Sequence, residues 1–75
     1  MYMVHAATSE HHWSWESFPT GQEAIARAER IVAAGEARRA DVYAVDHAET
    51  TDAAKANVEL GAAVHVLSKG GKVER

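Results

Sequence analysis

The chain has 75 residues, of which 47% are hydrophobic and 25% charged, values typical of a globular protein and not of a disordered one. A chain this short encloses one core, so residues 1–75 are expected to form a single domain. Its eight basic and 11 acidic residues give a net charge of −3. This balance argues against a nucleic-acid binder with a dense basic face, so direct nucleic-acid binding is not expected.

Cysteine is absent, which excludes disulfides, thiolate metal sites and cysteine nucleophiles. We find neither a signal-peptide pattern nor an apolar run long enough to span a membrane. A cytoplasmic protein that makes no membrane contact is therefore the expectation. Its small size leaves little stability for strained catalytic machinery and weakens the enzyme interpretation.

Alternating residues at the start of the chain predict a β-hairpin. Tyr2 to Thr8 form the first strand, with Met3, His5 and Ala7 sharing one face, and His12 to Phe18 form the second. Trp13 and Trp15 lie on one side of that second strand.

A helix is predicted from Gly21 to Ala34. Thr20 followed three places on by Glu23 is typical of a capping box. Gly35 suits a left-handed C-terminal cap, and Glu23 is expected to pair with Arg27 one turn later. One apolar stripe would face the sheet, consisting of Ala24, Ile25, Ala28, Ile31 and Val32.

The second half of the chain predicts two further strands and a short helix. Val42 to Val45, bounded by Asp41 and Asp46 and preceded by a charged bend from Glu36 to Arg39, form a third strand. Thr51 to Leu60 favour a helix over a strand because alanine is frequent there. Ala63 to Leu67 form a fourth strand, and the run Lys69, Gly70, Gly71, Lys72 a turn that folds Val73 back beside it. The fold class is therefore α+β, with a sheet of four to five strands packed on one main helix.

Five histidines suggest a metal site, since neutral imidazole is a common ligand. If the first, third and fourth strands pair, His5, His47 and His65 converge. However, no two histidines have the spacing that places a ligand pair on one element. We therefore predict no metal and no cofactor.

The sequence contains no motif for nucleophilic catalysis. The serines lack the context of a nucleophile elbow, so no catalytic residue is assigned and a non-enzymatic protein is expected. Lys69, Lys72 and Arg75 at the basic end leave open a contact with nucleic acid, although stacking aromatics are missing there.

Two regions are candidates for binding a protein partner. Trp13 and Trp15 either cover the helix as core, which we favour, or form an exposed anchor of the kind enriched at interfaces. Acidic residues gather between Ala40 and Leu60 and would attract a basic, nucleic-acid-binding groove. The residues assigned to partner binding are Trp13, Trp15, Asp41, Asp46, Glu49 and Asp52.

The order of elements resembles a family of compact accessory proteins. A strand through Trp15, Glu16, Ser17 and Phe18 leads into Thr20, Glu23, Ala24, Ala28 and Ile31, and Val42 to Val45 follow. Over about residues 2–46 this is similar in architecture to sheet-and-one-helix proteins of bacteriophages and mobile elements, among them some anti-CRISPR proteins. The resemblance implies a stoichiometric inhibitor that binds a host protein or ribonucleoprotein complex and blocks its nucleic-acid site. It assigns no functional residues.

The leading hypothesis is therefore a small protein-binding inhibitor or regulator of a host defence or regulatory complex, with a homodimer also possible. One alternative is a small metal- or ligand-binding protein that uses its histidines. A second is a nucleic-acid-associated regulator that uses its basic tail.

Overall fold

The computed structural model describes residues 1–9, 12–45 and 50–70. These residues form an α+β domain in which a four-stranded antiparallel sheet has the strand order β2-β1-β3-β4. The elements in chain order are β1 (Tyr2–Ser9), β2 (His12–Phe18), α1 (Gly21–Ala33), β3 (Arg39–Ala44), α2 (Thr51–Glu59) and β4 (Val64–Gly70). The predicted fold class is confirmed.

The predicted capping signals define both ends of α1. Thr20 Oγ1 accepts a hydrogen bond from the backbone N–H of Glu23 at 3.2 Å. Gly35 has a φ of +77°, and its N–H bonds to the carbonyl of Val32 at 3.1 Å. In place of the predicted pair with Glu23, Arg27 Nε donates to Glu16 Oε1 on β2 at 3.0 Å. That prediction is wrong because Glu16 lies directly under the helix.

Helix α1 packs on one face of the sheet. We call it the α1 face, and its buried residues include Val4, Ala6, Ala40 and Val42. The helix alanines Ala24 and Ala28 are fully buried, as are Ala6 and Ala40 on the strands opposite. Small side chains on both sides let the helix approach the sheet closely.

Helix α2 covers part of the opposite face, which we call the α2 face. Ala54 is fully buried against Met3 and Val45, and Trp15 and Tyr43 pack beside them. The expectation that both tryptophans cover the predicted main helix is wrong, because they point away from α1. No helix of the described residues is both long and apolar enough to cross a membrane.

The third and fourth strands differ in their bounds from the prediction. β3 begins at Arg39, so Asp41 lies within the strand and the charged bend ends earlier than expected. β4 continues to Gly70, so Lys69 and Gly70 extend a strand that we predicted to turn. The remainder of the predicted turn, with Val73, lies outside the described residues.

Candidate binding site on the α2 face

The strand register places an aromatic and a polar group of side chains next to each other on the α2 face. His5 on β1 lies between Trp15 on β2 and Asp41 on β3, and Asp41 pairs with Ser68 on β4. Two residues along, Ala7 lies between Trp13 and Arg39. We refer to these two neighbouring rows as the candidate site.

The aromatic half of the site is a stack of three rings. The His5 ring lies 3.8 Å from Trp15 with 11° between the planes, and 4.3 Å from Trp13 with 38° between them. Trp13 is 36% exposed, whereas Trp15 is half-buried and has the Lys55 ammonium 6.0 Å from its ring centre. Burial lowers the pKa of His5 from 6.5, and Asp41 and Glu59 oppose this effect. Burial therefore favours the neutral form of His5, and Trp13 remains partly exposed.

The polar half of the site is centred on Asp41, which is only 4% exposed. Arg39 donates from Nε to Asp41 Oδ2 at 3.1 Å and from Nη2 to Oδ1 at 3.2 Å. Ser68 Oγ also donates to Oδ1, and His65 Nε2 lies 3.3 Å from the same oxygen. Burial raises the pKa of Asp41, but the hydrogen bonds from Ser68, Arg39 and His65 outweigh it and hold that pKa below 3.8. The carboxylate is therefore ionised and fully bonded.

Serine, histidine and aspartate meet here, yet their geometry differs from that of a catalytic triad. In a triad one imidazole nitrogen faces the serine and the other faces the aspartate. Here His65 uses Nε2 toward both Ser68 Oγ, at 2.9 Å, and Asp41, and the Ser68 hydroxyl donates to Asp41. The cluster cross-links β3 to β4 and makes this half of the site rigid.

The structure brings together three of the six residues that the sequence assigned to partner binding. Trp13, Trp15 and Asp41 share the α2 face, whereas Asp52 lies exposed in the first turn of α2. Asp41 is bound by Arg39 and is not a solvated charge. The other two, Asp46 and Glu49, lie outside the described residues.

Two of the three histidines whose convergence would have suggested a metal site are described, and they do not meet. His5 and His65 share the α2 face, but β3 separates them and each contacts its own partners. His47 lies outside the described residues. Among residues 1–9, 12–45 and 50–70, no group of three or more histidine, aspartate or glutamate side chains is placed to hold a metal ion.

The basic end of the chain is only partly described. Lys69 Nζ lies 3.2 Å from Glu29 Oε2 on α1, so Lys69 forms a salt bridge within the protein. Lys72 and Arg75 lie outside the described residues.

Sequence reasoning did not assign His5, Arg39, His65 or Ser68 to this site. The alternation along β1 placed His5 and Met3 on one face. Which residues of β2 lie beside His5, however, depends on the register of the two strands. Arg39 was assigned to a bend, although its spacing of two from Asp41 puts both on one side of a strand. That spacing is the feature of the sequence that could have predicted the contact between Arg39 and Asp41.

Comparison with known proteins identifies no relative. No family model matches the chain, and no curated protein or solved structure is significantly similar to it.

Proposed function

We propose that the protein is a small non-enzymatic inhibitor or regulator that binds another protein through the candidate site, with Trp13 as the anchor. The observation that carries this proposal is the placement of Trp13. Its indole is 36% exposed and is held by the His5 ring at 4.3 Å.

A tryptophan held in this way loses little conformational freedom when a partner covers it. Binding energy at interfaces is concentrated in a few such aromatic residues, which are surrounded by polar groups that exclude water. The bonded cluster of Arg39, Asp41 and Ser68 lies beside Trp13 and supplies a fixed polar border.

The hydrogen bonds of the polar half support binding over catalysis. A general base needs a free lone pair directed at its substrate, and a nucleophile needs that base as its proton acceptor. Asp41 accepts hydrogen bonds from Arg39 and Ser68, and the Ser68 hydroxyl is thus bonded to a weakly basic carboxylate.

In its specific form, the proposal is that the partner is a host defence or regulatory complex with a basic, nucleic-acid-binding groove. The resemblance to phage accessory proteins implies this class of partner. Asp52, exposed at the start of α2 on the same side of the sheet, would add to the attraction of a basic surface.

The test is capture of a partner from bacterial lysate by the immobilised protein, followed by binding kinetics with that partner purified. We expect Trp13→Ala to speed dissociation by about thirtyfold or more, since truncating an interface anchor costs about 2 kcal/mol or more. The matched control is Leu60→Ala, because Leu60 is 81% exposed and lies outside the site.

Four results would contradict the proposal. If Trp13→Ala leaves the kinetics unchanged, or if Leu60→Ala has the same effect as Trp13→Ala, the candidate site is not the interface. Recovery that nuclease treatment abolishes would favour the nucleic-acid regulator. Metal that remains after dialysis against a chelator would favour the histidine-based alternative.

A further inference from the structure

Strand β2 lies at one edge of the sheet, and its backbone groups point alternately toward β1 and away from it. Met1 and Val45 exchange two backbone hydrogen bonds, at 3.2 and 2.8 Å. In an antiparallel ladder such pairs alternate, so Met3, His5 and Ala7 turn their backbone groups toward β3 and the residues between them toward β2. It follows from the register that the backbone groups directed away from the sheet are those of Trp13, Trp15 and Ser17.

These outward groups are open to another strand. Within the part of the chain that the structure describes, none of the backbone bonds of loops and caps involves Trp13, Trp15 or Ser17. A row of free N–H and C=O groups on a strand of seven residues is a template for strand addition.

The two edges of the sheet differ in how well they resist such pairing. The register of β4 with β3 shifts between Val42 and Tyr43, and such a bulge hinders edge-to-edge association. β2 keeps a continuous register from Phe18 to Trp13. Its one carboxylate, Glu16, lies 3.0 Å from Arg27 Nε but keeps 42% of its side chain exposed, so a charge on a second copy can still act on it.

We propose that two copies of the chain pair through β2, antiparallel, about a two-fold axis at Trp15. In this register Trp15 pairs with Trp15 of the second copy, and Trp13 pairs with Ser17. All the outward backbone groups are then bonded, because each of these pairs exchanges two hydrogen bonds. The result is one continuous sheet with both α1 helices on the same face.

Charge and side-chain chemistry favour this register. Ser14 lies opposite Glu16 of the second copy, so a hydroxyl that can donate faces a carboxylate and no like charges meet. Shifting the axis by one residue toward Phe18 places the two Glu16 side chains opposite each other. The two Trp15 rings also become a cross-strand aromatic pair on the α2 face.

This pairing goes beyond the proposed function and is tested by a different measurement, although Trp13 takes part in both. It uses the backbone edge of β2, whereas partner binding uses the exposed ring of Trp13. Either can fail without the other.

The test is sedimentation equilibrium over a range of protein concentrations. The mass of the wild-type protein is expected to rise from 8.1 kDa toward twice that value. In the variant Ser14→Glu, a glutamate faces Glu16 in two symmetric pairs, and we expect the dissociation constant to rise about twofold to thirtyfold. The matched variant Ser14→Lys places opposite charges there and should leave the dimer as stable as the wild type or more stable.

Control variants separate this edge from the rest of the molecule. Val64→Lys on β4, at a position that is 67% exposed, should leave dimerisation unchanged. Circular dichroism confirms that each variant is folded. If Ser14→Glu does not fold, Ser14→Asp, which introduces the same charge, takes its place. The proposal is overturned if the wild type stays monomeric up to about 1 mM, if Ser14→Lys weakens the dimer as much as Ser14→Glu, or if Val64→Lys dissociates it.

Discussion

The imidazole of His5 lies flat on the indole of Trp15, with 3.8 Å between ring centres and 11° between planes. Burial in this position disfavours the charged imidazolium and lowers the pKa of His5 from 6.5. The stack therefore connects the packing of the α2 face to the protonation of one histidine.

The protein should lose stability in mild acid because of His5. Its pKa is lower in the folded state than in the unfolded state, so unfolding takes up a proton. The contribution of His5 is complete above pH 6.5 and is lost as the pH falls below that value through the folded-state pKa. His5→Phe keeps a stacking ring without a titrating group and should reduce the loss of stability. Urea unfolding of both proteins at about pH 7.5 and about pH 5 measures how much stability each loses in acid.

The control for this prediction is His12→Asn, since His12 is exposed on β2. A slope of stability against pH that His5→Phe leaves unchanged would show that His5 is not the responsible group.

The helix α1 should depend on its N-terminal cap. Thr20→Ala removes the acceptor for the Glu23 amide and should lower the free energy of unfolding by about 0.5–2 kcal/mol. Thr20→Ser keeps the acceptor and should cost much less. Chemical denaturation of the three proteins gives the comparison, and equal midpoints would contradict the role of the cap.

The Asp41 cluster should contribute more stability than any single surface ion pair. Asp41→Asn removes the charge that Arg39 and Ser68 donate to, and should cost about 1.5–3 kcal/mol, whereas Ser68→Ala should cost about 1 kcal/mol. The folded-state pKa of Asp41 is below 3.8, so its contribution is present above that pH and is lost as the pH falls through the folded-state value. Acid titration of stability should show this loss in the wild type and not in Asp41→Asn. An equal acid response in both proteins would contradict the assignment.

Two glycines with positive φ should respond differently to alanine. Gly70 has a φ of +91°, and a Cβ there would collide with the backbone carbonyl of Arg38. Gly35, with a φ of +77°, has open space around that position. Gly35→Ala should therefore cost about 1–2 kcal/mol from backbone conformation alone, and Gly70→Ala distinctly more. Thermal unfolding of both variants measures the difference, and equal losses would show that the close approach of β3 is relieved without cost.

The features that were correctly predicted depend on residues close in the chain. The start of α1 follows from Thr20 and Glu23, and its end from Gly35, because caps act within about one turn. The alternation that put Trp13 and Trp15 on one face is equally local.

The features that were missed depend on long-range pairing. Asp41 was taken as a strand boundary, but a carboxylate is stable inside a strand when Arg39 lies two residues away and Ser68 comes from β4. Gly70 was assigned to a turn, yet it pairs with Arg39 because only glycine allows the backbones to approach so closely at that point. Arg27 was given a neighbour on its own helix, and the register of β2 supplied Glu16 instead.

The strand order has a consequence for synthesis of the chain. β1 is made before the other elements, but it ends up in the interior of the sheet, between β2 and β3. The hairpin with β2 forms from neighbouring residues, whereas the other edge of β1 has no strand to pair with until residues 39–44 have left the ribosome. During that interval the amphipathic helix α1 is already complete and can cover the nascent hairpin. The order of emergence thus allows Val4 and Ala6 on the α1 face of β1 to be covered early, whereas Met3 on the α2 face is covered only once α2 has been made.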